Sequence, residues 1–302
     1  DLGDGKVIYV WWEAVMGYLS AAKEWAASSG DPEAWKQWWE NPDAEAYYFV
    51  GKDNVPFHAI FWPAMLMGYG GLNLPTDVPA NQYITFKGEK ASKSRGVGKS
   101  LRWYLDHIEP DALRYALAAN FPENSDSDLV EDDMWRRIND ELVATWGNLV
   151  HRVVSMTHRY FDGVVPPADP DDRDQALLDR VDELLLAEHT DISNVRLRSG
   201  LVQAMSAAQE VNVYLSEREP WKTAKADEAR TGTTLNVALQ AIAGIAVGLS
   251  PYLPFTSPKV LATLGIESPE GGPAWGRPQV DAGTMLAAPE PLFSKVEIED
   301  EE

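Results

Sequence analysis

The sequence predicts an α/β segment followed by an all-α segment, and three observations carry that prediction. Short β-branched and aromatic runs alternate with helical stretches over residues 1–125, the rhythm of a parallel sheet with crossovers. From residue 135 onward apolar side chains recur at spacings of three and four, the pattern of a long amphipathic helix. Residues 235–249 are apolar on nearly all faces, which suits the buried helix of a bundle. The expected division is 1–125, 126–265 and an irregular acidic tail at 266–302.

Each element has its own reason. Residues 6–12 (KVIYVWW) have the composition of a buried strand, and 16–27 follow with helical composition. Residues 47–50 (YYFV) read as a second strand stopped by Gly51, 58–69 as a helix despite Pro63, and 82–86 (QYITF) as a third strand. Trp35, Trp38 and Trp39 sit at helical spacing and read as packing residues. The long helix runs through Trp135, Ile138, Leu142, Trp146, Leu149, Val153, Met156 and Tyr160. A loop at 162–172 and helices near 175–189 and 195–216 follow. Beyond residue 265 the Pro/Gly-rich stretch GIESPEGGPAWGRPQ predicts irregular backbone.

Composition narrows the function classes. The 302 residues include 45% hydrophobic ones, enough for two packed cores. The absence of cysteine excludes a disulfide framework, a thiolate metal site and a cysteine nucleophile, and it fits a reducing cytoplasm. The first residues lack the basic and apolar regions of a secretory signal. The stretch 235–249, interrupted by Asn236 and Gln240, is too short to span a bilayer, so a soluble cytoplasmic protein is expected. The net charge of -21 argues at first sight against nucleic acid. An acidic interaction protein or a surface adapted to molar salt would also explain it. Scattered acids and only 12 lysines favour the salt-adapted surface.

One island runs against this charge. Lys87, Lys90, Lys93, Arg95, Lys99 and Arg102 cluster with Glu89 alone opposing them. Within it, KASKSRGVG places two lysines three apart among small hydroxyl residues and glycines, able to approach and neutralise a polyphosphate. The bland alternative is a solvated basic loop after a strand. A P-loop is excluded on spacing, because the glycine it needs five positions before Gly98 is Lys93.

KASKS resembles the lysine-rich signature loop of class I aminoacyl-tRNA synthetases. YVWWEAVMGYLSAAKEW, WKQWWENP, GKDNVPFHAIFWPAML, KASKSRGVG, LVATWGNLVHR and REPWK occur in the order and approximate spacing of methionyl-tRNA synthetases of the archaeal and eukaryotic type. The resemblance runs from about residue 6 to residue 265. It implies the second half of a Rossmann-type nucleotide-binding domain followed by a helical anticodon-binding bundle. The implied reaction is ATP-dependent activation of methionine to methionyl-adenylate and its transfer to methionine tRNA.

The resemblance also implies roles for particular residues. Trp11, Ala14 and Tyr18 would line the methionine pocket, although Glu13 and Val15 depart from the family's usual Asp and Pro. Gly51 and Asp53 would meet the ribose of ATP and the methionine amine, and His58 the methionine side chain. Read without the family, His58 is a satisfied core histidine. Lys93, with Lys90 beside it, would supply charge to the phosphates, with Ala91 in place of the usual Met. Asn148 and Arg152, at i and i+4, would read anticodon base edges, and Trp221 would stack on a base. Their structural alternatives are a solvated helix face and a cap on the bundle. Mg2+ is expected with ATP, and no metal site is expected within the chain.

The family's His-x-Gly-His signature does not occur, since the five histidines are His58, His107, His151, His158 and His189. The cysteine-bearing zinc insertion does not occur either. The expectation is therefore the C-terminal part of a methionine–tRNA ligase, inactive without its N-terminal half as partner. A stand-alone non-catalytic tRNA-binding protein and a generic acidic α/β nucleotide-binding enzyme are the competing readings.

Overall fold

A computed structural model describes residues 3, 5–7, 9–86, 88–90, 98–267, 269 and 272–297, with the backbone alone at Lys90. The chain divides into two units, Asp1–Ile84 with Pro122–Ser127 and Thr85–Phe121 with Asp128–Glu302.

In the first unit the helices α1 (Val10–Ala14), α2 (Gly17–Ser28) and α3 (Lys36–Trp39) precede strand β1 (Val50–Gly51). A 3-10 turn, Lys52–Asn54, and a π-helical turn, Phe57–Phe61, lead directly into α4 (Trp62–Tyr69), and β2 (Ala80–Asn81) follows. β1 and β2 pair in parallel, Val50 with Ala80 and Gly51 with Asn81, and a parallel bridge joins Tyr47 to Asp77. A parallel crossover is thus present, with α4 as its helix, but its second strand is Ala80–Asn81; the strand expected at 82–86 is Ile84–Phe86, which pairs antiparallel with Glu89–Lys90. Pro63 falls in the first turn of α4, just after the π-helical turn, where proline is tolerated. Val15, Trp62 and Leu66 form the core, flanked by Leu19, Trp39, Tyr48, Phe57, Met65 and Leu72. Trp35 is buried and Trp39 meets Trp62 edge-on at 6.0 Å, as packing residues should; Trp38 is half exposed against Trp25.

The strand expected at residues 6–12 is corrected. From Val10 this run is helical, and Val7 is 88% exposed. Strand propensity expresses itself only where a neighbouring strand takes up the backbone hydrogen bonds, and none of the described strands pairs with this run.

The second unit takes up strand β3 (Ile84–Phe86), which pairs antiparallel with β4 (Glu89–Lys90), Thr85 opposite Lys90 and Phe86 opposite Glu89. Helices α5 (Leu101–His107) and α6 (Pro110–Ala119) precede β5 (Ser127–Asp128), which borders β3. The Asp128 carboxylate accepts from the Thr85 hydroxyl at 2.8 Å and from the Gly88 N–H at 2.9 Å, closing the β3–β4 turn. Those bonds, Gly88 first, hold Asp128 below the usual carboxylate range.

The long helix expected from residue 135 is present as α7 (Glu131–Arg136), a π-helical stretch (Arg137–Gly147) and α8 (Asn148–Phe161), run end to end. It stops at Asp162 in left-handed conformation. The 22-residue helices α9 (Asp172–Ser193) and α10 (Leu197–Arg218), the short α11 (Pro220–Thr223), then α12 (Glu228–Gly248) and α13 (Ser257–Thr263) complete the unit. α9 begins with a full capping box in which Asp171 and Asp174 satisfy each other's backbone N–H. α12 is apolar and long enough to cross a membrane, but it is buried as the core helix of this bundle.

The described part of 266–302 is irregular in backbone, as expected, yet it is packed rather than solvated. Val280, Leu286 and Phe293 are buried, and Arg277 forms a two-pronged pair with Asp182 at 2.9 and 2.8 Å. Trp275 donates to Leu185 O at 3.0 Å, Gln240 exchanges two bonds with the Val280 backbone, and Asn139 does the same with Val296. These side-chain to main-chain bonds replace the ladder that an irregular segment lacks.

Candidate functional site

In the first unit the π-helical turn Phe57–Phe61 turns His58 inward, leaving it 3% exposed. Its Nδ1 faces Asn54 O at 2.9 Å and must donate to it, so Nε2 accepts from the Tyr18 hydroxyl at 2.8 Å. Both nitrogens are therefore satisfied by protein, and a ligand would meet the ring edge or face. Tyr18 lies edge-on to Tyr48 at 5.3 Å and tilted against Trp62 at 6.4 Å. Trp62 donates to the Tyr48 hydroxyl at 3.0 Å, and burial raises the Tyr48 pKa above the ordinary phenol value. Trp11 stacks on Phe57 at 4.9 Å, and Ala14 lies on the exposed side of α1. The result is an aromatic wall of the sort that favours a polarisable thioether.

Gly51 and Asp53 stand just past this wall, at the carboxyl end of β1, where open parallel sheets bind their ligands. Gly51 has φ -77, and an added Cβ would come no nearer than 3.9 Å to Asn54, so the protein's own packing does not demand glycine there. A ligand approaching the backbone would supply the demand. Asp53 is exposed and accepts from the Tyr83 hydroxyl, while Lys52 lies over the Tyr83 ring at 4.1 Å and pairs with Asp126 at 2.7 Å.

The basic island is described in part. Lys93 lies outside the described residues, as do Lys87 and Arg95, and of Lys90 only the backbone in β4 is described. Lys99 pairs with Glu131 at 3.1 Å and lies over Trp103 at 3.7 Å, and Arg102 pairs with Asp106 at 3.0 Å. Among the described residues no cluster of His, Asp or Glu is placed to hold a metal ion.

In the second unit Asn148 is exposed on α8. Arg152 departs from the alternative of a solvated helix face: it is half-buried, and its Nη2 donates to Asn212 Oδ1 on α10 at 2.9 Å. Asn212 is itself fixed by donating to Thr145 O and Ala208 O, both at 3.0 Å. Burial pulls the Arg152 pKa below the ordinary guanidinium value. Trp221 is 41% exposed in α11, whereas its neighbour Pro220 is buried, so the proline caps the bundle and the indole stands clear.

Sequence reasoning missed Tyr48, Trp62, Asn212 and Tyr83. The first two lay inside runs already read as a strand and a helix, and their partners are far along the chain.

A parallel crossover with candidate residues at its strand end, joined in sequence to a helical bundle, is the arrangement of a class I tRNA synthetase. Residues 3–154 match the family described as tRNA synthetases class I (M), and residues 165–302 match the anticodon binding domain of methionyl tRNA ligase. The chain belongs to the class I (M) tRNA synthetase family, with part of a catalytic domain followed by a helical anticodon-binding domain. It is 42% identical to a methionine–tRNA ligase of Roseiflexus castenholzii, over 97% of this chain and 55% of the relative. It is 46% identical to that of Dehalococcoides mccartyi, over 97% and 53%. Its structure resembles Mycobacterium tuberculosis methionyl-tRNA synthetase bound by methionyl-adenylate, with TM-score 0.82, 27% identity and coverage of 95% of this chain and 56% of that one. The chain thus spans little more than half the length of these relatives. All of them are bacterial, so the archaeal and eukaryotic type expected from the motifs gains no support.

Proposed function

We propose that this chain forms the methionine-facing part of the catalytic domain and the anticodon-reading domain of a methionine–tRNA ligase. The observation that carries the reading is the aromatic wall of Trp11, Tyr18 and His58 beside Gly51 and Asp53 at the end of β1. Asp53 binds the methionine ammonium, Gly51 allows the ribose to approach, and the wall receives the thioether. A methionine carboxylate oxygen then attacks the α-phosphorus of ATP, bound as its Mg2+ complex. The bond to the bridging oxygen breaks and pyrophosphate leaves. Lys93, with Lys90, offsets the charge on the leaving group. A tRNA hydroxyl next attacks the adenylate carbonyl and AMP leaves. In this reading residues 1–125 serve catalysis, residues 126–265 serve the anticodon, and the protein works in the cytoplasm.

Completion by a further catalytic segment is part of the proposal. Tyr9, Val10, Trp12 and Ile60 are all more than half exposed, and ring contacts of 6.0 Å between Tyr9 and Phe57, 5.8 Å between Phe57 and Phe61 and 6.3 Å between Phe61 and Trp12 link the aromatic rings into one apolar face. Such a face is a liability unless covered, and the part of the relatives that this chain does not match would cover it. The high acid content supports function in concentrated salt, on composition alone.

The division of labour is tested in the chain combined with a complementary catalytic segment. Lys93→Ala is expected to lower methionyl-adenylate formation by at least a factor of about 100, the scale of one lost charge-stabilising group, and to spare tRNA binding. Trp221→Ala should weaken tRNA binding and spare adenylate formation. Equal effects of either variant on both steps would overturn the assignment.

A further inference from the structure

Two arginines that flank Trp221 in sequence converge on one pair of carboxylates. Arg218 ends α10, and its Nη2 meets Asp171 and, at 3.0 Å, Asp174 Oδ1. Arg230, in the first turn of α12, reaches Asp171 Oδ2 at 3.2 Å and Asp174 Oδ2 at 2.5 Å. The Tyr214 hydroxyl donates to Asp174 Oδ1 at 2.7 Å, and the Asp174 side chain is fully buried. Burial alone would raise both carboxyls. The capping-box N–H groups, the Tyr214 hydroxyl on Asp174 and the two guanidiniums outweigh it and hold both below the usual carboxylate range.

We propose that this cluster of two carboxylates and two guanidiniums is the positioning device for Trp221, fixing both ends of the segment 219–229 so that the indole stands ready to stack on a base. The segment leaves α10 through Glu219 in left-handed conformation, buries Pro220 and exposes Trp221. Thr223 ties it to Thr231 of α12 at 2.7 Å, and Asp227 N donates to Thr223 O at 2.8 Å. A platform held in this way loses little freedom on binding, which raises affinity without adding a contact. Both guanidiniums are already engaged by carboxylates, so their contribution is position rather than attraction for phosphate.

The proposal rests on the stacking role given to Trp221, and the test separates the two. Binding of a fluorescently labelled methionine tRNA transcript to the 302-residue chain is measured for Trp221→Ala, for Asp171→Asn, and for both together. Asparagine keeps the α9 N-cap while removing one charge that both arginines share. Arg218→Lys, which keeps the charge but loses the fork, serves as a second variant, and thermal melts confirm folding. Trp221→Ala should weaken binding roughly 5- to 150-fold, the range of a lost base stack. Asp171→Asn and Arg218→Lys should each cost about three- to tenfold when Trp221 is present and almost nothing when it is alanine, with an unchanged salt slope. Full binding by Trp221→Ala would remove the stacking role and the proposal with it. A normal Trp221 effect with undiminished losses from the cluster variants in the alanine background, or a shallower salt slope, would overturn the positioning role alone.

Discussion

Glu188 shows what one side chain does to the pH dependence of the whole domain. It is fully buried on α9 beside Gly248, and neither carboxyl oxygen has a hydrogen-bond partner among the described residues. Burial pushes its pKa up to about 9. The native chain therefore keeps this proton over a range in which the unfolded chain, with an ordinary carboxyl near 4.3, has released it. Stability contributed at Glu188 falls as pH rises from about 4.3 to about 9 and is constant outside that window. Glu188→Met should stabilise the protein at pH 8 by on the order of 1–3 kcal/mol in urea unfolding, with the difference shrinking toward pH 4. A difference independent of pH would mean that the carboxyl finds a partner in solution. Nothing in the string LLLAEHTD marks this glutamate as buried, because it takes one place on a helix on which Asp172, Asp179, Asp182 and Glu183 are exposed. His58 was legible only through its flanking motif. On its own it reads as a satisfied core histidine, and its two filled nitrogens show that the physical part of that reading was sound.

At the scale of elements, helical periodicity was read well and its local breaks were not. Among the described residues the π-helical stretches are Phe57–Phe61, which carries His58, and Arg137–Gly147, which ends just before Asn148. A π turn bonds i to i+5, so the downstream face is rotated from where a three-and-four count places it. Asn148 and Arg152 both follow that stretch in α8, one turn apart, and there Arg152 turns toward Asn212 while Asn148 remains exposed. The Asp171, Asp174, Arg218 and Arg230 cluster was invisible for a different reason: its partners stand 44 to 59 positions apart along the chain. Close helix approach is a third feature that spacing cannot show. A Cβ on Gly248 of α12 would collide with Glu188 Oε2 and come within 2.8 Å of Leu185 Cδ2. Gly248→Ala is therefore expected to destabilise by about 1–3 kcal/mol despite alanine's better helix propensity, measured as a lower urea midpoint. A gain in stability would show that α9 and α12 are less tightly apposed.

For the whole molecule, the net charge of -21 proved less informative than its distribution, which leaves a basic island in the α/β part and places most of the acid in the helical part. The bundle was legible because its helices pack against one another within this chain. The conformation of residues 6–12 was not, because their strand propensity needs a neighbouring strand and none is present among the described residues. On the proposed function, an incomplete catalytic site and an exposed apolar face are two aspects of one condition. Methionine-dependent ATP–pyrophosphate exchange tests it most directly. It is measured for the 302-residue chain alone and after mixing with a family segment that carries the His-x-Gly-His signature, in low salt and in molar KCl. Exchange is expected from the mixture and absent from the chain alone; exchange by the 302 residues unaided would contradict the incompleteness of the site.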